Sequence, residues 1–161
     1  MKYQVGGIGK VVVVRFEDED DILQGLSDIV KREEIMSAVF YLVGGVKEGD
    51  IVVGPEKDEM PPEPIWRHIT ESHETVGIGT IFRHNNEPKI HFHGAYGKRD
   101  NVKMGCLRDA AKTFLVMEAI ILEIKGIHAI RELDPASRMI LLKLLDVHDD
   151  EKWKFPDLQI P

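Results

Sequence analysis

The chain is short of several things, and each shortage excludes something. Cys106 is the only cysteine in 161 residues, so no internal disulfide can form and a reducing cytoplasm is the expected setting. No apolar run approaches the roughly 20 residues needed to cross a bilayer as a helix. The opening "MKYQVGGIGKVVVV" has no apolar core followed by a small-residue cleavage site, so it does not read as a secretory signal. Basic residues are outnumbered: 21 Lys and Arg face 28 Asp and Glu, for a net charge of −7, and no basic run exceeds two residues. That argues against a general nucleic-acid surface, which needs clustered cations to neutralise phosphates. Gln and Asn are scarce beside abundant Lys and Glu, a composition that leans toward a thermophile. There is no internal repeat, low-complexity block or linker.

What remains is an ordinary globular composition, 43% apolar and 30% charged, in a chain long enough to bury one core. "KVVVVRF" (10–16) is β-branched and reads as a strand. After the acidic run "EDEDD", Ile22, Leu23, Leu26, Ile29 and Val30 recur at helical spacing. The acids precede this helix and Lys31 and Arg32 close it, which matches the helix dipole and reads as capping. "SAVFYLVGGVKEGDIVVG" (37–54) reads as two extended stretches about a glycine-marked bend or turn. "PEKDEMPPEP" (55–64) is a loop, with a mobile lid as the functional alternative. Strands are expected within 66–83, 88–97 and 101–107. "TFLVMEAIILEI" (113–124) fits either a helix or a buried strand. "HAIREL" and "RMILLKLLDV" complete the sheet around a "DPAS" turn. The expectation is a single α+β domain, mostly antiparallel sheet with one or two packed helices. Its core covers about 8–146, and a polar tail, 147–161, packs Trp153 and Phe155 on the body.

The chemistry concentrates in "KIHFHGAYGKRDNVKMGCL" (89–107). Side chains of a strand alternate in direction, so His91 and His93 share one face and Phe92 takes the other. If the hairpin turns at Arg99–Asp100, paired positions sum to 199 and Cys106 falls opposite His93, on the same face. A turn at Asp100–Asn101 places Cys106 opposite Ala95, still on that face. A one-residue slip removes it to the other side. Two imidazoles and a thiolate suit a divalent transition metal, zinc foremost, and three protein ligands leave a coordination position open, as in catalytic sites.

Other templates fit less well. A cupin also begins with His-x-His but needs a Glu soon after, and none stands between Gly94 and Lys98. There is no His-Glu-x-x-His motif. "GIGT" (77–80) lacks the third glycine of a dinucleotide loop and reads as a strand under close backbone approach. Cys106 with either histidine forms a conceivable nucleophilic pair, with only His73 or Glu74 nearby in sequence to orient a base. His68, His84, His128 and His148 are given no role.

The segment "HETVGIGTIFRHNNEPKIHFHGAYGKRDNVKMGCLRDA" resembles the core of the plants-and-prokaryotes conserved domain, the PPC family. Glu74 and Gly79 match its Glu-led strand, His91 and His93 its His-x-His strand, and "MGCL" its Gly-Gly-His-Leu return. Arg15, the acids after it and "ILQGL" echo its opening. The likeness spans about residues 8–146. It implies an α+β fold with a central antiparallel sheet, a homotrimer, and in some prokaryotic members a metal at the histidines. The family's third histidine is Cys106 here, and its first glycine is Met104. The substitution either keeps a softer site or marks a subfamily that has lost the metal or uses the thiol. His73 is then the competing third ligand. Glu74 is the candidate general base, and Arg15 and Arg108 are candidates for binding an anionic substrate.

Three function classes follow: a small metal-binding oligomer, extending to a metal-dependent enzyme acting on a small polar substrate; a DNA-binding protein like the plant relatives; and a trimeric interaction scaffold. The plant proteins pair the domain with an AT-hook. No "RGRP"-like arm occurs here, so the resemblance does not carry DNA contact over.

Overall fold

The computed structural model describes residues 1–146; the expected C-terminal tail lies outside the described residues. Strand β1 (Gly7–Glu17) leads to helix α1 (Ile22–Arg32). There follow β2 (Ala38–Pro55), β3 (Pro64–Ile69), β4 (His73–His84), β5 (Glu87–Lys98), β6 (Asn101–Lys125), β7 (Ala129–Asp134) and β8 (Met139–Leu144). Among the described residues the single domain is mostly sheet with one helix.

The helix begins where the sequence places it. Asp21 caps it, its carboxylate accepting from the Gln24 backbone N–H at 2.9 Å. Other acids of the run are engaged locally: Asp20 accepts from the Glu17 N–H, Glu19 pairs with Lys47, and Asp18 accepts from the Leu115 N–H. Ile22, Leu26 and Val30 are completely buried on one helix face. Each such side chain stabilises the fold by about 1.5–3 kcal/mol relative to exposure.

The eight strands form one sheet in the order β3-β2-β6-β5-β4-β7-β8, with β1 beside β6 and an added β2–β4 pairing. Because β2 pairs with both β4 and β6, and β5 links those two, the strands β2, β4, β5 and β6 form a closed ring. Phe40, Phe92, Tyr96, Met117 and Ile121 belong to the buried core, with the Phe40 and Phe92 rings stacked at 5.6 Å. Close approach explains "GIGT". A Cβ on Gly79 would lie 2.2 Å from the Phe40 ring, and one on Gly77 would lie 2.5 Å from the Phe92 ring.

Residues 37–54 are one bent strand rather than two. The bend is at Gly44, whose φ is +144°, and a Cβ there would lie 2.4 Å from the Val116 carbonyl oxygen. The partner strand bulges at the same level: Gly44 faces Met117 while Gly45 faces Phe114. Segment 66–83 divides into the later part of β3 and nearly all of β4. The ambiguous stretch 113–124 is strand. Met117, Ala119 and Ile121 point inward, while Ile120, 45% exposed, points outward. An outer face this apolar masks the period-two alternation that would have identified it.

Candidate metal centre

The β5–β6 hairpin turns at Arg99–Asp100. Lys98 faces Asn101, and His93 faces Cys106. Arg99 takes a φ of 54°, the left-handed conformation that the turn requires. The register summing to 199 is therefore the one adopted. With Phe92 buried in the core, His91 and His93 project outward together.

Their rings meet edge to face with centroids 4.8 Å apart, and the two Nε2 atoms share a hydrogen bond at 3.0 Å. The nitrogens and the Cys106 sulfur all lie within 4.8 Å of one another. Tetrahedral zinc with nitrogen and sulfur ligands needs donors about 3.3–3.6 Å apart. Small side-chain rotations therefore suffice to close this set on one ion. Both rings stand exposed while Cys106 is 3% exposed, so the sulfur forms the floor and the imidazoles the rim.

The electrostatics favour neutral imidazoles. Partial loss of hydration pushes His91 down to about 4, aided by the charge of Arg131, by His93 and by Arg108. His93 is lowered by desolvation and then by Arg108. Neutral rings are the metal-binding form, so protons do not compete for them at neutral pH. The thiol is raised by burial, which outweighs the opposing pull of Arg108. It binds a metal only by giving up its proton.

The other candidates are not brought to this cluster. His73 starts β4, five positions before Ile78, the residue opposite His93; that is roughly 17 Å along the strand. Its Nδ1 instead contacts the Glu71 carbonyl at 2.6 Å. Glu74 faces Gly97, near the hairpin end and roughly 13 Å along β4 from Ile78. Adjacent strands do not make adjacent side chains when the positions along them differ. Arg15 faces Glu118 and pairs with Glu17. It borders a hollow of about 400 Å³ that also holds Asp20, Asp21 and Asp28, an acidic setting for an anion ligand. Arg108 alone of these is close, two positions beyond Cys106 on the same face of β6.

One neighbour escaped sequence reasoning. Arg131 of β7 donates from Nη2 to Thr80 Oγ1 at 2.8 Å, and Thr80 is the cross-strand partner of His91. Nothing in "HAIREL" announces this, because β7 meets β4 through the single parallel pair Arg83–Ile130.

The sequence pattern of the Plants and Prokaryotes Conserved (PCC) domain matches residues 3–125. The chain belongs to that family. Solved structures agree on the fold. A metal-containing protein of Archaeoglobus fulgidus superposes with a TM-score of 0.78 at 20% identity, covering 91% of this chain and 100% of its own. A plant- and prokaryote-conserved protein of Pyrococcus horikoshii gives 0.77 at 22%, with the same coverage. A Ralstonia eutropha protein provisionally named as DNA-binding gives 0.70 at 20%, covering 83% of this chain and 90% of its own. A comparison with curated proteins finds no match. As a member of the plants-and-prokaryotes family, the chain departs from the expected histidine trio at one position. The structure places Cys106 where its sulfur completes the cluster.

Proposed function

We propose that this PPC-domain protein is a cytoplasmic metal-binding oligomer that holds one zinc ion per chain through His91, His93 and Cys106. The observation that carries the reading is the convergence of the two imidazole nitrogens and the one sulfur within 4.8 Å. The metal-containing neighbour supports it. Three protein ligands leave one position for water or a small polar ligand. A bound ion there supplies Lewis acidity. The chain's own contribution is a pair of neutral imidazoles and a sulfur held on a rigid hairpin. The test is elemental analysis of protein purified without chelator. Zinc near one equivalent is expected, falling several-fold in His93→Ala; equal content in the two proteins would refute the site.

Self-association, as a homotrimer, is the second part of the proposal. Reading across the strands, Val13 faces Ile120, Ile120 faces Tyr41, Tyr41 faces Ile78, Ile78 faces His93 and His93 faces Cys106. The first four are 77%, 45%, 47% and 50% exposed. A continuous apolar row of this kind on a sheet face is what a subunit interface covers. DNA binding is disfavoured by the net charge of −7, despite the provisional names of some neighbours.

A further inference from the structure

Two arginines flank the cluster, and neither has a carboxylate partner among the described residues. Some other cations do pair with acids: Arg15 with Glu17, Lys31 with Glu87, Lys98 with Glu71. Arg131, at 6% exposure, has only Thr80 Oγ1 as a side-chain hydrogen-bond acceptor among the described residues and rests 5.9 Å above the Phe82 ring. Its Nε is enclosed without an acceptor. Arg108 lies opposite Asp50 across β2 and β6, yet the Asp50 carboxylate turns to His68 instead. The two cations approach from different sides, one from β7 through Thr80 and one from β6 beside Cys106. Both charges are felt at His91 and at Cys106.

Such an arrangement is unfavourable in isolation. Burying a guanidinium without an anion costs several kcal/mol of desolvation in general, and a second cation beside it adds repulsion. Burial lowers the Arg131 pKa, with the Cys106 thiolate opposing the shift and Arg108 adding to it. Arg83, the other deeply buried guanidinium, also lacks a carboxylate but donates to the Ile35 and Asn86 carbonyl oxygens, whereas Arg131 reaches one hydroxyl among the described residues.

We infer that Arg131 and Arg108 receive a small oxyanion, of carboxylate or phosphate chemistry, held against the His91–His93–Cys106 cluster. The planar guanidinium is suited to such oxygens through paired N–H donors. The inference rests on the metal reading only for the second contact, in which an oxygen of the anion fills the open coordination position. A divalent ion with one thiolate keeps a net positive charge, so the ion and both arginines call for the same kind of ligand. A small molecule fits better than a nucleic-acid backbone, because Arg131 is set too deep for a duplex phosphate.

The test is titration calorimetry with inorganic phosphate and with malonate, on chelator-stripped protein and on the same protein loaded with zinc. Saturable binding of one anion is expected, weakened about tenfold or more in Arg131→Gln and in Arg108→Gln with zinc content unchanged. Preference for phosphate or for malonate identifies the source of the oxyanion, and either supports the inference. Anion binding by stripped protein that takes up no zinc would sink the metal reading and leave this one standing. Absence of binding by both anions in both forms would overturn it. So would unchanged affinity in Arg108→Gln, whose half-buried side chain can be replaced without unfolding the sheet if Arg131→Gln proves unfolded. Displacement of phosphate by duplex DNA, lost in Arg131→Gln, would overturn the small-ligand assignment.

Discussion

His93 stands directly opposite Cys106 across the β5–β6 hairpin, and this pairing brings the chain's one thiol to its His-x-His motif. The two residues are thirteen positions apart, so the contact depends on the turn. A one-residue slip would carry the sulfur to the core side and leave two histidines alone.

Cobalt reports on the sulfur directly. Cobalt(II)-loaded protein is expected to show a sulfur-to-metal charge-transfer band that Cys106→Ser abolishes, while the variant still binds cobalt more weakly through the histidines. A spectrum unchanged by Cys106→Ser would remove the thiolate from the site.

Acid should destabilise the metal-free protein in a defined window. His91 has a folded-state pKa of about 4 against an ordinary value of 6.5. Above 6.5 the imidazole is neutral whether folded or not, and has no effect. Between 6.5 and about 4 the unfolded chain binds a proton that the folded chain does not, so stability falls as pH falls. His93 acts in the same direction. Urea midpoints at pH 7 and pH 5 should therefore differ more for wild type than for His91→Gln. An equal difference in both would show that His91 is not held neutral.

Gly79→Ala should cost about 1–3 kcal/mol of stability, since its Cβ would overlap a ring that is itself fully packed. The Phe40 atom in its way is 2.2 Å from the new carbon. Thermal unfolding measures this. An unaltered midpoint would mean that β4 and Phe40 separate easily. Gly97→Ala, where the nearest atom is 3.8 Å away, is the mild control.

The apolar row predicts assembly. Light scattering of wild type is expected to give three times the chain mass. Ile78→Glu, at a half-exposed site in the middle of the row, should give monomers that remain folded by circular dichroism. A wild-type monomer, or a trimer indifferent to Ile78→Glu, would contradict the interface.

Much of this was legible in the residues. The helix was visible because its apolar positions repeat at one period and an acid caps it. The hairpin was legible because two short strands flank Arg99–Asp100, so one assumed turn fixed every pair. Residues 113–124 were not legible, because both faces of β6 are apolar and no alternation survives. His73 and Glu74 looked close in sequence order, but placement along β4 sets them far from His93. Arg131 was invisible because it reaches the site from a strand joined through one parallel pair, a contact no local pattern encodes.

The most direct measurement is anomalous diffraction at the zinc edge from crystals grown without chelator. One peak is predicted per chain, bonded to Nε2 of His91, Nε2 of His93 and Sγ of Cys106. Rings turned to solvent with no peak between them, in protein that was offered zinc, would contradict the account.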